Sequence, residues 1–288
     1  MVKLVRYGPR NEEKPGLIDG GGQIRDLSGR VPDLKGDALS PEKLAELARI
    51  EPASLPIVEG KPRLGPCHTG INRIIGIGLN YSDHAAETGM EPPSEPIVFM
   101  KACAATGPND PIIIPKDSKK TDWEVELGVV IGLPAHHVTQ AEALDYVAGY
   151  CVCNDVSERA YQIERGGQWT KGKSCDGFAP IGPWLVTKDE IADPQDLPLW
   201  LEVNGHRYQN GNTKSMIFGV AEIVSYLSTF MTLLPGDVIS TGTPPGVGMG
   251  LKPEPIFLKP GDSVRLGVDG LGEQVQTCVS WEDRPSAN

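Results

Sequence analysis

Two glutamates one residue apart, Glu124 and Glu126, constrain this chain more than any other feature. They open the run Glu124 to Ile131, whose Val, Leu and Ile residues predict a β-strand. Side chains two apart on a strand share a face, so both carboxylates would stand side by side. Like charges that close are tolerated only beside a cation, a proton or basic side chains. Asp155, ending a second strand-like run from Tyr146, adds a third carboxylate. Three carboxylates on rigid backbone suit a hard divalent ion, Mg2+ in the first place, with Mn2+ or Ca2+ able to replace it. Two plainer readings compete. The glutamates could line a solvated strand face, and Asp155 could cap a following helix, with Glu158 completing a capping-box pattern.

The rest of the chain predicts an α+β fold that is mostly β. Strand-like runs begin at Arg73, Ile97, Leu199, Asp237 and Ser263, interrupted by few helices, near Ala141–Tyr146, Val156–Arg165 and Ala221–Leu233. The 34 Gly and 26 Pro among 288 residues fit a turn-rich domain better than an alternating βαβ chain. Residues 1–70 read as a small N-terminal domain: strands at Lys3 and Gly22, then a helix from Pro41 with Ser40 as its N-cap. A Pro-rich stretch from Pro52 to Cys67 places the boundary near residue 70, and 71–288 form the main domain.

A formal net charge of -11 argues against nucleic acid or an anionic membrane as bulk partner, and requires a local positive site for any anionic substrate. No apolar run reaches the ~18 residues of a spanning helix, and the first residues show no signal-peptide core. The six dispersed cysteines read as reduced, mostly buried thiols of a cytoplasmic protein.

Other candidates are local. His84 and Glu87 stand i,i+3 on a short helix, where a carboxylate can orient an imidazole as a general base for water; a polar surface helix is the plain alternative. Arg159 and Gln162 repeat the spacing and could hold a carboxylate or oxyanion. Gly167 to Ser174 matches the phosphate-loop pattern, which would make this a nucleotide binder. That motif needs a strand before it and a helix after it, and Pro180 and Pro183 follow too closely for one. Lys173 is better read as a single positive charge aimed at a substrate oxygen. The turn Thr241 to Gly248, containing Thr243, could be a binding loop. His68, His136, His137 and His206 lack ligand-like spacing and are expected at the surface.

Taken in order, Gly76-Ile-Gly-Leu-Asn-Tyr-Ser-Asp-His-Ala-Ala-Glu87, Glu124-Val-Glu126, Asn154-Asp155 through Gln162, Gly172-Lys-Ser174, Ser215 to Phe218 and Thr241 to Gly248 closely resemble the fumarylacetoacetate hydrolase family over roughly residues 70–285. The resemblance implies a β-roll with a mixed sheet, usually a homodimer or dimer of dimers. It implies Glu124, Glu126 and Asp155 as metal ligands, His84 with Glu87 as a water-activating dyad on a lid, and Lys173, Lys101, Arg159, Gln162 and Thr243 toward the substrate. The N-terminal run from Leu4 and the segment Gly89 to Pro96 look like a bacterial subgroup acting on 2,4-diketo-3-deoxy-L-rhamnonate or L-fuconate, giving pyruvate and lactate. The same family holds ureidoglycolate lyases, oxaloacetate decarboxylases and hydroxymuconate-type isomerases.

Overall fold

The computed structural model describes residues 2–83 and 92–286. In chain order its strands are β1 (Lys3–Tyr7), β2 (Lys14–Ile18), β3 (Ile24–Asp26), β4 (Ile74–Gly78), β5 (Ile97–Lys101), β6 (Ile112–Ile113), β7 (Thr121–Asp122) and β8 (Val125–Ile131). They continue with β9 (Val147–Asn154), β10 (Ser157–Glu158), β11 (Ile181–Thr187), β12 (Pro198–Val203), β13 (His206–Asn212), β14 (Val238–Ser240), β15 (Ser263–Val268) and β16 (Gly272–Val279). The α-helices described over their full length are α1 (Pro41–Ala48), α2 (Trp169–Lys173) and α3 (Val220–Phe230).

Among the described residues the strands form three sheets. The largest runs β3-β2-β1-β11-β9-β8-β14-β4-β5, the second β13-β12-β15-β16-β6, and β10 pairs with β7 alone. Most pairings are antiparallel; β14 with β4 and β16 with β6 are parallel, so the two larger sheets are mixed, as expected of a mostly β fold. The centre of the large sheet is buried on both faces. Alternate residues Leu127 and Val129 of β8 face Leu199, Leu201, Val264 and Leu266 of the second sheet. Val130, with Ala148 and Cys151 of β9, faces Leu4, Leu27, Leu39 and Leu44 of the N-terminal segment. This two-sided burial is why these strands read as continuous apolar runs.

Residues 1–70, expected as a domain of their own, therefore extend the main sheet. β1 pairs with β11 through Lys3↔Val186 and Leu4↔Leu185, and helix α1 covers one face, its Ser40 Oγ accepting from Lys43 N at 3.3 Å. The apolar faces of β1 and α1 find in Ile181, Leu185 and Val238 the surface they need to leave water.

Three local readings change. No α-helix follows Asp155: the backbone is taken by β7, with Ser157↔Asp122 and Glu158↔Thr121 in register, and a π-helical turn follows at Ala160–Glu164. The Glu158 carboxylate accepts from Ala160 N (3.0 Å), Thr121 Oγ1 (3.3 Å) and Ser118 Oγ, so it completes no capping box with Asp155. His68 is buried, not at the surface: its Nε2 lies 3.1 Å from Gly236 O and its Nδ1 3.7 Å from Cys67 Sγ. The thiols follow expectation. All six are free, and Cys67, Cys151, Cys153 and Cys278 are buried.

Asn80 is a buried stitch just beyond β4. Its Nδ2 donates to Phe218 O (3.0 Å) and Thr241 O (2.8 Å), and its Oδ1 accepts from Phe218 N (2.8 Å). Asn80→Ala would leave one donor and two acceptors unpaired in the core. It should cost about 3 kcal/mol, read as a lower urea midpoint at unchanged slope.

Candidate metal centre

Antiparallel pairing builds the site. Strand β8 lies against β9 with Val125↔Asn154 in register, and Asp155 N donates to Glu124 O at 2.9 Å. Residues 31 positions apart in sequence thus end side by side at one edge of the sheet. Glu124, Glu126 and Asp155 are all buried, and one ligand atom from each lies within 4.8 Å of the others. Neither plainer reading survives: the strand face is not solvated and Asp155 caps no helix.

The charge conflict is met by three buried cations. Lys173 Nζ bridges Glu124 Oε2 (2.8 Å) and Asp155 Oδ2 (2.7 Å). Lys101 Nζ, at the end of β5, donates to Asp155 Oδ1 and to Val156 O (3.1 Å). Arg159 Nε donates to Asp122 Oδ2 (2.8 Å) and Nη1 to Gln162 Oε1 (3.0 Å). Arg159 Nη2 lies 2.8 Å from Glu124 Oε1, close enough for charge attraction but off the line of a hydrogen bond. Among the described residues no cation lies directly on Glu126; its Oε2 accepts from Ser240 Oγ (2.7 Å) and Gly242 N (2.8 Å).

These surroundings split the carboxyl groups. Burial favours a neutral Glu124, but Lys173 and Arg159 outweigh it and hold the carboxyl well below the usual range. Burial pushes Glu126 well upward, and the charges of Asp155 and Glu124 push the same way. Lys173 and Arg159 are moved up despite burial, Lys173 by Asp155 and Glu124, Arg159 by Asp122 and Glu124. Among the described residues four acids, Asp122, Glu124, Glu126 and Asp155, thus face three cations, and the excess negative charge adds to burial in pushing Glu126 upward.

A cavity of about 490 Å³ opens over the group. Glu124, Glu126, Arg159, Gln162, Lys173 and Thr243 reach its wall, whereas Lys101 and Asp155 stand outside the lining. The Thr243 hydroxyl donates to Val125 O (2.8 Å) and accepts from Gln209 Nε2 (2.8 Å), which fixes the loop against β8. Phe99 and Trp169 form an aromatic shelf with ring centroids 5.6 Å apart, and Lys173 Nζ lies 4.9 Å from the Phe99 centroid. Gly78 makes room for that shelf, since a Cβ there would run into the Trp169 ring. The phosphate-loop pattern has no phosphate geometry: β11 begins beyond it, a π-turn precedes it, and its glycine Gly172 packs against Glu158 O and Gln162. Lys173 points at carboxylates of the protein itself. His84 and Glu87 lie outside the described residues.

The donor set fits a hard divalent ion. It is all oxygen, its spacing suits one ion reached by three carboxylates, and each carboxylate keeps at least one oxygen with a lone pair for an ion. Sequence patterns missed Asp122, Ser240 and Gly242, which hold Arg159 and Glu126. Their signal would have been the strand ends facing Glu124 and Glu126, visible only once pairing is known.

Comparison with known proteins agrees with this geometry. The family model described as Fumarylacetoacetate (FAA) hydrolase C-terminal matches residues 73–279. A Burkholderia ambifaria protein named only as a hydrolase is 67% identical over 277 residues, covering 96% of this chain and 98% of its own. The 2-hydroxyhepta-2,4-diene-1,7-dioate isomerase from Mycobacterium marinum is 33% identical with a TM-score of 0.75, covering 98% of this chain and 99% of that one. Maleylpyruvate hydrolase from Sphingobium sp. SYK-6, solved in complex with manganese(II) ion and pyruvate, is 27% identical with a TM-score of 0.78, covering 96% and 99%.

The raised Glu126 gives a pH test on metal-stripped protein. Between its unfolded value near 4.5 and its higher folded value, the folded state holds the extra proton, so Glu126 lowers stability as pH rises. Glu126→Gln should therefore melt above wild type at pH 8, with the gap closing below about pH 4.5. Added Mn2+ should reverse the order and release protons, read by calorimetry in buffers of different ionisation heat.

Proposed function

The chain belongs to the fumarylacetoacetate hydrolase family, and from that premise we propose that it is a metal-dependent hydrolase cleaving a C–C bond in a 2,4-diketo acid of the acylpyruvate type. The observation that carries the reading is a three-carboxylate donor set, two of whose members, Glu124 and Glu126, line a cavity beside buried Arg159 and Lys173. Such a cavity is a positive pocket for a small oxo acid inside an acidic protein. The Sphingobium hydrolase with manganese and pyruvate supports the same chemistry here.

A divalent ion held by Glu124, Glu126 and Asp155, Mg2+ or Mn2+, would supply Lewis-acid polarisation to the carboxylate and 2-carbonyl end of the substrate. Arg159 and Lys173 offset the negative charge gathered there. Gln162, tied to Arg159, holds that end in register. In this reading Glu87 orients His84, which takes a proton from water as the oxygen attacks C4. The C3–C4 bond then breaks with its electron pair to C3, and protonation of C3 gives pyruvate beside the acid formed from C4 onward. The walls beyond the polar end, Phe99, Trp169, Val247 and Met249, suit a methyl terminus. That favours a 2,4-diketo-3-deoxy sugar acid of the L-rhamnonate or L-fuconate type, which would yield lactate.

A second reading comes from Lys252, an exposed cation on the same cavity. It would favour a dioic acid, handled by hydrolysis or isomerisation.

The test is a substrate panel with Mg2+ or Mn2+ and with chelator: acylpyruvates, 2,4-diketo-3-deoxy sugar acids, unsaturated dioic oxo acids, oxaloacetate and ureidoglycolate. Pyruvate release from the diketo acids, abolished by chelator, is expected; turnover of only oxaloacetate or ureidoglycolate would overturn the reading. His84→Ala should lower kcat by at least about 100-fold with bound metal unchanged. Full turnover in that variant removes the dyad from the mechanism.

A further inference from the structure

Asp122 ends β7 two residues before the first carboxylate of the donor set, and it is fully buried. It is nevertheless no candidate ligand, because its oxygens are already taken. Oδ1 accepts from Trp123 N (2.8 Å) and Gly248 N (2.7 Å), and Oδ2 from Arg159 Nε (2.8 Å) and Met249 N (3.0 Å). Four donors saturate the lone pairs of one carboxylate. Two of them come from residues that line the cavity, Arg159 and Met249, carried by segments about 90 positions apart in sequence. The clasp admits only glycine at position 248, where a Cβ would lie 2.7 Å from Asp122 Oδ1 and run into Ile256 O.

The consequence falls on the guanidinium. Arg159 N is tied to Lys120 O (2.9 Å), Nε to Asp122 and Nη1 to Gln162, so the plane of the group has no freedom left. Arg159 lines the cavity, and its buried Nη2 is ion-paired with Glu124 Oε1 at 2.8 Å but has no aligned acceptor among the described residues. An ion pair without an aligned hydrogen bond leaves the N–H groups of Nη2 open to a ligand oxygen.

We propose that Asp122 is a positioning residue: it locks the Arg159 guanidinium and the Gly248–Met249 turn into one unit so that Nη2 meets the anionic end of the substrate. This rests on the oxo-acid reading above for the ligand's identity, but not for the clasp itself. Asp122→Asn keeps the size and sets an amide N–H₂ against two of the four donors.

The experiment compares wild type, Asp122→Asn, Arg159→Lys and the double variant, all loaded with Mn2+. Calorimetry with pyruvate as probe should show affinity about tenfold weaker for Asp122→Asn. Mn2+ affinity should be held within about threefold, and the two substitutions should be markedly non-additive. Hydrogen exchange of the 244–251 segment should rise in Asp122→Asn while that of β8 stays as in wild type. Unchanged exchange at 244–251, additive effects on pyruvate, or a loss of Mn2+ affinity matching the loss of pyruvate would each overturn the proposal. If wild type binds no oxo acid, the functional reading fails while the exchange measurement still decides the clasp. Should Asp122→Asn fail to fold, Arg159→Ala with added methylguanidinium decides instead: a seat made by Asp122 and Gln162 should accept the cation and restore pyruvate binding, and no restoration overturns it.

Discussion

Four carboxylates taken out of water at one point cannot stand unless their charge is answered on the spot, and the architecture around them follows from that demand. The answer comes from three separate segments: Lys101 from β5, Arg159 from the π-turn and Lys173 from α2. Each is a long side chain carried to the same point by an element that is itself packed. The remaining imbalance falls on Glu126, held by Ser240 Oγ and Gly242 N and, among the described residues, without a cation directly on it. A divalent ion at the three carboxylates would answer that excess charge.

Burial of this kind is destabilising for any pair considered alone, because desolvation costs several kcal/mol per ion. The fold offsets it with two-sided apolar packing of β8 and β9, which places the charged edge on the most firmly held strands of the chain. Rigid backbone also serves chemistry, since ligands on paired strands keep their spacing when substrate arrives. The cavity then divides into a charged end and an aromatic and aliphatic remainder, and this division carries the substrate argument.

Much of the site was legible because its residues are local pairs. Glu124 with Glu126, and Arg159 with Gln162, announce themselves by spacing, and the strands at Glu124 and Ser263 by composition. Other elements were hidden for physical reasons. β2 contains Pro15 and Gly16, and β11 contains Pro183, which weaken any strand signal until a partner strand is known. The helix expected after Asp155 gave way to β10, because Lys120 and Asp122 offered backbone partners that local propensity cannot anticipate. His68 looked like a surface residue because nothing near it in sequence reveals Gly236, its partner across the fold.

By itself the chain determined which chemical groups are present and the period at which they repeat: an all-oxygen donor set, compensating bases and a β-rich, turn-rich scaffold, since these depend only on neighbours along the backbone. The opening problem of two adjacent glutamates was likewise set there, together with the rule that something positive must meet them. Tertiary structure alone decided what that something is. The pairing of β8 with β9 brought Asp155 to Glu124, and packing turned Lys173 inward to the carboxylates. Asp122, unmarked in the sequence, came to tie Arg159 to the Gly248–Met249 turn. Those outcomes depend on register between distant strands, which is fixed by burying both faces of the sheet at once and by no single segment.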